Sequence, residues 1–233
     1  MNPRQQKDIA TIFQNIPFLS CLSSEERQDI YMHIILKECQ KNDILLYEEE
    51  HAHYMYLLLS GQVKVIQLNE EGKEHILAIH KKGHYFGEMS FIDGKTSPAT
   101  VVAQEKTRVG LISRDVFVNH ILTKPKCVDV IIKLLCERLR EAWLKISNTD
   151  FLNAEQRLWN VFKDLSEKFG KHDSQGVMID LEITHQDIAG LCSTSRETVT
   201  RFLNTARKNG YIEIRANKKL LLTNDCLKKI HLM

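Results

Sequence analysis

The 233-residue sequence has no run approaching 18 consecutive uncharged apolar residues, so nothing in it reads as a membrane-spanning helix. The opening stretch, MNPRQQKDIATIFQ, is polar and lacks the apolar segment of a secretory signal. The six cysteines, Cys21, Cys39, Cys127, Cys136, Cys192 and Cys226, come no closer than nine residues apart. That spacing fits neither a disulfide framework nor a zinc motif, and free thiols in a reducing cytoplasm are the expectation. No G-x-S-x-G, H-E-x-x-H or Walker loop occurs. The acid-rich run Glu48-Glu49-Glu50-His51 reads as a solvated turn, so no catalytic residue, metal ligand or resident cofactor is expected. Also missing is an excess of one charge: 32 Lys and Arg face 30 Asp and Glu. That balance excludes a histone-like tail and an acidic solvating chain.

The charge that is present is unevenly placed. Residues 1–150 carry a net −1, residues 151–233 a net +3, and residues 196–233 alone a net +6. A neutral front followed by a basic tail suits a sensing domain joined to a domain that binds a polyanion.

Three textures follow one another. From Ile34 to Ser113, short β-rich runs alternate with turns: 34–40, 44–47, 55–68 (broken at Ser60-Gly61), 75–80, 99–104 and 107–113. Gly61, Gly72, Gly83, Gly87 and Gly94 punctuate them, which predicts an antiparallel barrel or jelly roll. Ser23-Ser24-Glu25-Glu26 and Arg114-Asp115 open flanking helices. A long helix follows over 125–147, in which Val128, Ile132, Leu135, Leu139, Ala142 and Ile146 recur at spacings of four and three. Such a seam pairs with a second helix or packs on the chain's own barrel. Ile131, Leu134 and Trp143 on another face predict both at once. From Phe151 on, the pattern gives an amphipathic helix at 153–169, a polar loop from Gly170 to Gly176 and a short strand. Helices near 185–192 and 195–209 follow, then a hairpin across Ala216-Asn217 and a short terminal helix.

The segment from Ile183 to Leu203 is the most informative. Thr184 caps a first helix with Asp187 three residues on, and Ile188, Ala189 and Leu191 form its inner face. Thr194 and Glu197 form a T-x-x-E box for a second helix. Val199, Phe202 and Leu203 bury that helix and leave Arg196, Glu197, Thr200 and Arg201 outward. Two short helices across a tight turn, the second presenting arginines, describe a helix-turn-helix. Arginine donates two bonds to guanine, glutamate accepts from cytosine, and a capped helix start with hydroxyls suits phosphate. The bland alternative is a surface ion pair between Glu197 and Arg201.

On the run Ser195-Arg196-Glu197-Thr198-Val199-x-Arg201, the chain resembles the Crp/Fnr transcription regulators, and does so over essentially its whole length. The fold implied is α+β: an N-terminal antiparallel β jelly-roll, cyclic-nucleotide-binding-like sensor domain (1–123), a dimerisation helix (124–150) and a C-terminal winged helix-turn-helix (151–233). The resemblance implies base contacts by Arg196, Glu197 and Arg201, and phosphate contacts by Thr184, Gln186, Ser195 and Thr198. Lys218 and Lys219 of the hairpin would lie along the flanking backbone. The implied partners are double-stranded DNA with a TGTGA-N6-TCACA-like palindrome, a second copy of the chain, RNA polymerase and a small-molecule effector. Ser193 stands where the family often has glycine.

A second resemblance lies in 86–101, which is similar to the phosphate-binding cassette of cyclic-nucleotide domains through Phe86, Gly87, Glu88 and Ala99. The effector pocket so implied comprises Gly87, Glu88, Met89, Ser97, Arg138 and Trp143. The family's phosphate-binding arginine falls at Ser97, followed by Pro98, and the adenine-contacting positions fall at Ala142 and Trp143. Losing that guanidinium removes a bidentate, charge-assisted contact, although Lys95 or Arg138 can compensate. These departures point away from cAMP, leaving a cAMP-responsive regulator as one alternative and a signalling module whose C-terminal domain docks protein as another. An iron–sulfur cluster lacks its cysteines. His75, His80 and His84 are the candidates for a haem ligand, and Cys136 for thiol oxidation.

Overall fold

The computed structural model describes residues 11–215 and 219–231, with the backbone alone for 148–150 and 231. The chain folds as two compact units, Met1–Arg140 and Glu141–Met233. In the first, helices α1 (Pro17–Ser20) and α2 (Ser24–Met32) precede eight strands. Ser23 starts α2 with a capping box: the Glu26 N–H donates to Ser23 Oγ at 3.1 Å, and the Ser23 N–H donates to Glu26 Oε2 at 2.8 Å. Strands β1 (Ile35–Cys39), β8 (Thr107–Ser113), β3 (Tyr54–Ser60) and β6 (Tyr85–Phe86) form one antiparallel sheet. The other sheet is β2 (Ile44–Leu46), β7 (Thr100–Ala103), β4 (Gln62–Leu68) and β5 (Glu74–Lys81). The nested pairings 1–8, 2–7, 3–6 and 4–5 are those of a jelly roll.

Strand β3 explains the layering. Its YMYLLLS run is apolar on both faces because both faces are covered. Tyr56 and Leu58 join Val63, Val101 and Val109 between the sheets. Met55, Leu57 and Leu59 face the opposite way, onto Phe13, Phe18 and Phe117 of the flanking helices. A half-solvated strand would alternate polar and apolar residues, as β4 does more closely. The turn from β3 to β4 needs Gly61: φ is +85°, and a Cβ there would lie 2.4 Å from Thr107 Oγ1 and 2.8 Å from a backbone oxygen.

The short helix α3 (Glu88–Asp93) lies between β6 and β7, and α4 (Arg114–Phe117) follows β8. Next comes the long helix α5 (Pro125–Phe151). Its start is anchored in the first unit by Cys127 and Ile131, with Leu134 and Leu135 partly buried against the same core. Ile132, Leu139 and Ile146 of the heptad seam are 54%, 50% and 60% exposed, so the chain's own core does not use them. Trp143 is 61% exposed rather than packed on that core.

The second unit contains α6 (Ala154–Phe169), β9 (Gly170–Asp173), β10 (Gly176–Ile179), α7 (His185–Cys192), α8 (Arg196–Lys208), β11 (Ile212–Ile214), β12 (Leu220–Thr223) and α9 (Asn224–His231). Its sheet runs β11-β12-β10-β9, all antiparallel. The polar loop expected at 170–176 is therefore half wrong. Residues 170–173 pair with β10 as an edge strand, whose three exposed polar residues gave a loop-like pattern. The core is aromatic: Trp159 meets Phe202 edge-on at 4.7 Å, and Phe202 stacks on Phe162 at 5.8 Å.

Candidate nucleic-acid interface

Helix α7 starts at Thr184, whose Oγ1 accepts from the Asp187 N–H at 3.1 Å and donates to Asp187 Oδ2 at 2.6 Å. It ends at Ser193, a non-glycine residue in the left-handed region (φ 50°, ψ 53°). The Thr194 N–H then donates to the Ala189 carbonyl at 3.0 Å, closing the helix in Schellman fashion. Thr194 is thus spent on α7. The cap of α8 is Ser195, whose Oγ accepts from the Thr198 N–H at 3.2 Å, and not the Thr194/Glu197 box expected from the sequence. Left-handed backbone costs an L-residue about 1–2 kcal/mol. Ser193→Gly is therefore expected to stabilise the protein by about 1 kcal/mol, as a raised midpoint in urea, without altering the exposed face of α8.

Arg157 of α6 fixes the turn. Its Nε donates to the Cys192 carbonyl at 3.0 Å, Nη1 to the Leu152 carbonyl at 2.8 Å and Nη2 to the Ser193 carbonyl at 3.4 Å. The orphan carbonyls at the end of α7 thereby gain a cation that also suits the helix dipole. His185 Nδ1 lies 3.0 Å from Thr200 Oγ1, and that hydroxyl donates to the Arg196 carbonyl at 2.9 Å. Thr200 consequently ties the two helices together and is half-buried, where the sequence pattern had turned it outward.

Arg196, Glu197 and Arg201 are exposed within the first two turns of α8, while Val199 and Leu203 face the core. No ion pair joins Glu197 to Arg201 among the described residues; the guanidinium contacts Thr198 Oγ1 at 3.5 Å. The backbone N–H at the helix start, the Ser195 hydroxyl and the two arginines hold the Glu197 carboxyl below its ordinary range. The result is two guanidinium forks and an ionised carboxylate, all exposed to solvent. Gln186 is exposed on the first turn of α7. The Thr184 and Ser195 hydroxyls already serve as caps, and the Ser195 and Thr198 hydroxyls lie 3.1 Å apart.

In the first unit, Gly87 (φ 82°) turns the chain into α3, and Met89 is exposed. Glu88 is buried and ion-paired with Arg138 of α5, whose guanidinium lies 5.1 Å from the Tyr85 ring centre. Burial pushes the Glu88 carboxyl up, and Arg138 holds it back. Ser97 is turned onto its own chain: its Oγ donates to the Ala99 carbonyl at 2.7 Å. The apolar cavity beside Glu88 amounts to about 10 Å³, close to the room one water needs. The structure thus brings Glu88 and Arg138 together and leaves Ser97 and Met89 out. Trp143 belongs to the second unit. Among the described residues no group of three or more His, Cys, Asp or Glu side chains could hold a metal, and no helix is long and apolar enough to cross a membrane.

Comparison with known proteins places both halves. The model of the cyclic nucleotide-binding domain matches residues 36–124, and that of the Crp-like helix-turn-helix domain matches residues 156–226. A cyclic AMP receptor protein from Thermus thermophilus is 31% identical over 170 residues, 73% of this chain and 76% of that one. The chain belongs to the Crp/Fnr family of transcription regulators. A CRP-like cAMP-activated global transcriptional regulator from Mycobacterium tuberculosis is 26% identical over 184 residues, covering 78% of this chain and 81% of that protein. Among solved structures, a CooA mutant from Carboxydothermus hydrogenoformans superposes with a TM-score of 0.76 at 26% identity, over 92% of this chain and 94% of that one.

In this Crp/Fnr regulator the basic character of the C-terminal third is partly spent inside the domain. Lys219, expected along DNA, pairs with Asp180, and Lys171 pairs with the same carboxylate at 2.5 Å. Arg215 pairs with Glu213 at 3.0 Å. Lys218 lies outside the described residues. Lys171 and then Lys219 hold the Asp180 carboxyl at about 2, below its ordinary 3.8. A depressed carboxyl contributes stability that is complete above its unfolded pKa and is lost as pH falls through its folded one. Acid should therefore remove up to about 2 kcal/mol between about pH 5 and pH 2. Urea unfolding at pH 6 and pH 3 should show about half of this, ~1 kcal/mol, and Asp180→Asn should flatten the difference. Burial pushes the Cys192 and Cys226 thiols up to about 12, which keeps them protonated and un-nucleophilic. Arg157 and His185 were missed in the sequence because their partners are backbone atoms and a residue on another helix.

Proposed function

We propose that this DNA-binding regulator acts in the cytoplasm as a homodimer that reads a TGTGA-N6-TCACA-like palindrome. Residues 1–123 sense a signal, 124–150 form the dimer helix and 151–233 bind DNA and engage RNA polymerase. The observation that carries this reading is the exposed set Arg196, Glu197 and Arg201, with no ion pair between its members, on a helix capped by Ser195. Arg196 and Arg201 donate to guanine O6 and N7, and Glu197 accepts from cytosine N4. Gln186, Thr198 and Lys218, with the backbone N–H groups at the starts of α7 and α8, contact phosphates. The half-exposed seam of Ile132, Leu139 and Ile146 supports pairing with a second copy, and two recognition helices would then enter major grooves about 34 Å apart.

The named relatives include a cAMP-activated regulator and a cyclic AMP receptor protein, but two features here favour another signal: Ser97 in place of an arginine, and Glu88 engaged by Arg138. Effector binding would act as a population shift between dimer arrangements of different half-site spacing.

Fluorescence-anisotropy titration tests the reading. The palindrome should bind far more tightly than a scrambled duplex, and inserting about five base pairs between half-sites should abolish the gain, because half a helical turn puts one site on the opposite face. Equal binding to all three duplexes would contradict it. Adding cAMP should leave the affinity unchanged.

A further inference from the structure

The second unit contains a pocket that borders the proposed DNA-reading face and shares Arg201 and Thr198 with it. It is an open cavity of about 300 Å³, at the lower end of the range of roughly 300–1,000 Å³ that takes small molecules. Phe202 and Tyr211, both half-buried, supply its accessible aromatic walls with the buried Trp159 behind them, and Lys229, Arg201 and Glu155 supply charge. Trp159 and Tyr211 stand edge to face, with centroids 5.9 Å apart at 86°. The Lys229 ammonium sits 4.7 Å from both ring centres. Its neighbour Lys228 pairs with Asp225, whereas Lys229 pairs with no carboxylate among the described residues. Glu155, the one acidic side chain of the lining, accepts the Trp159 indole N–H at 3.4 Å. Two cations and one carboxylate leave the pocket with an excess positive charge against flat apolar faces.

We infer that this pocket binds a small aromatic carboxylate, with its ring against Phe202 and Tyr211 and its carboxylate between Lys229 and Arg201. Aromatic faces reward a flat apolar body, and a partly buried ammonium lacking a counter-ion rewards an anion. Neither feature alone selects this class; together they favour it over neutral aromatics and over small hydrophilic anions. The occupant also competes for Arg201. A guanidinium held by a carboxylate cannot fork onto guanine, so the ligand lowers sequence-specific DNA binding. That last consequence rests on the base-reading role proposed for Arg201.

The test uses the full chain and phenylacetate as probe, with phenylacetamide as its neutral counterpart. Calorimetry without DNA should give saturable binding of phenylacetate at one site per chain, and binding of the amide weaker by about tenfold or more, the worth of one charge-assisted contact. Lys229→Gln should lose the same factor, and Thr205→Phe, at the rim, should block both compounds. A cooperative thermal transition in each variant shows that it is folded. Absence of saturable binding, equal binding of acid and amide, or undiminished binding by both variants overturns the pocket. In a separate titration, phenylacetate should weaken binding to the TGTGA palindrome, and unchanged DNA affinity at saturating probe overturns the competition for Arg201. Failure of the base-reading model is distinguishable, because it would appear without any probe, as indifference of the protein to duplex sequence.

Discussion

Replacing Arg138 by methionine is expected to destabilise the N-terminal unit by about 2–4 kcal/mol. The Glu88 carboxylate is 6% exposed, and removing its partner leaves an uncompensated buried charge. The usual cost of breaking such a pair is about 3–5 kcal/mol, reduced here because the Arg138 side chain keeps 37% of its surface in solvent. The same change removes the guanidinium packed over Tyr85 and uncouples α3 from α5. Glu88→Gln combined with Arg138→Met should cost less than Arg138→Met alone, since the double variant no longer buries a charge. Scanning calorimetry of the full chain measures both. A double variant less stable than the single one would mean that the pair is a packing contact whose charge is incidental.

The second large effect is on DNA. Arg196→Ala and Arg201→Ala should each cost about 1–3 kcal/mol on the palindrome, while binding to a scrambled duplex changes little. Both side chains are exposed and carry no structural ion pair among the described residues. Stability should therefore remain as in the parent, which separates loss of reading from loss of fold.

Much of this architecture was legible in the amino-acid order. Alternating apolar runs with glycine-marked turns give the jelly roll, because only a strand buried on one or both faces needs that pattern. The seam of α5 and the helix-turn-helix spacing were equally plain, since helical periodicity and capping chemistry act over a few residues. The departures come where a distant partner decides. Thr194 and Ser195 are equal candidates for a cap until the Thr194 N–H closes α7 on Ala189. Residues 170–173 look like a loop until β10 lies beside them. Glu88 and Arg138 are 50 residues apart, and no local pattern says that one will satisfy the other. In the same way, Lys219 reads as a free basic residue until the sheet brings it to Asp180. The exposed guanidinium groups of α8 were foreseeable because both their position and their exposure follow from one helix and its apolar stripe.

The central claim is that Arg196 reaches the edge of a particular guanine. A double cycle measures this most directly: parent protein and Arg196→Ala, each titrated on the palindrome and on the same duplex carrying 7-deazaguanine at one TGTGA guanine. The modified base lacks the N7 acceptor that a forked arginine uses. At one guanine the two changes should be strongly non-additive, with the modified base costing the parent about 1 kcal/mol or more and the variant almost nothing. Additive losses at every guanine of the half-site would contradict the account.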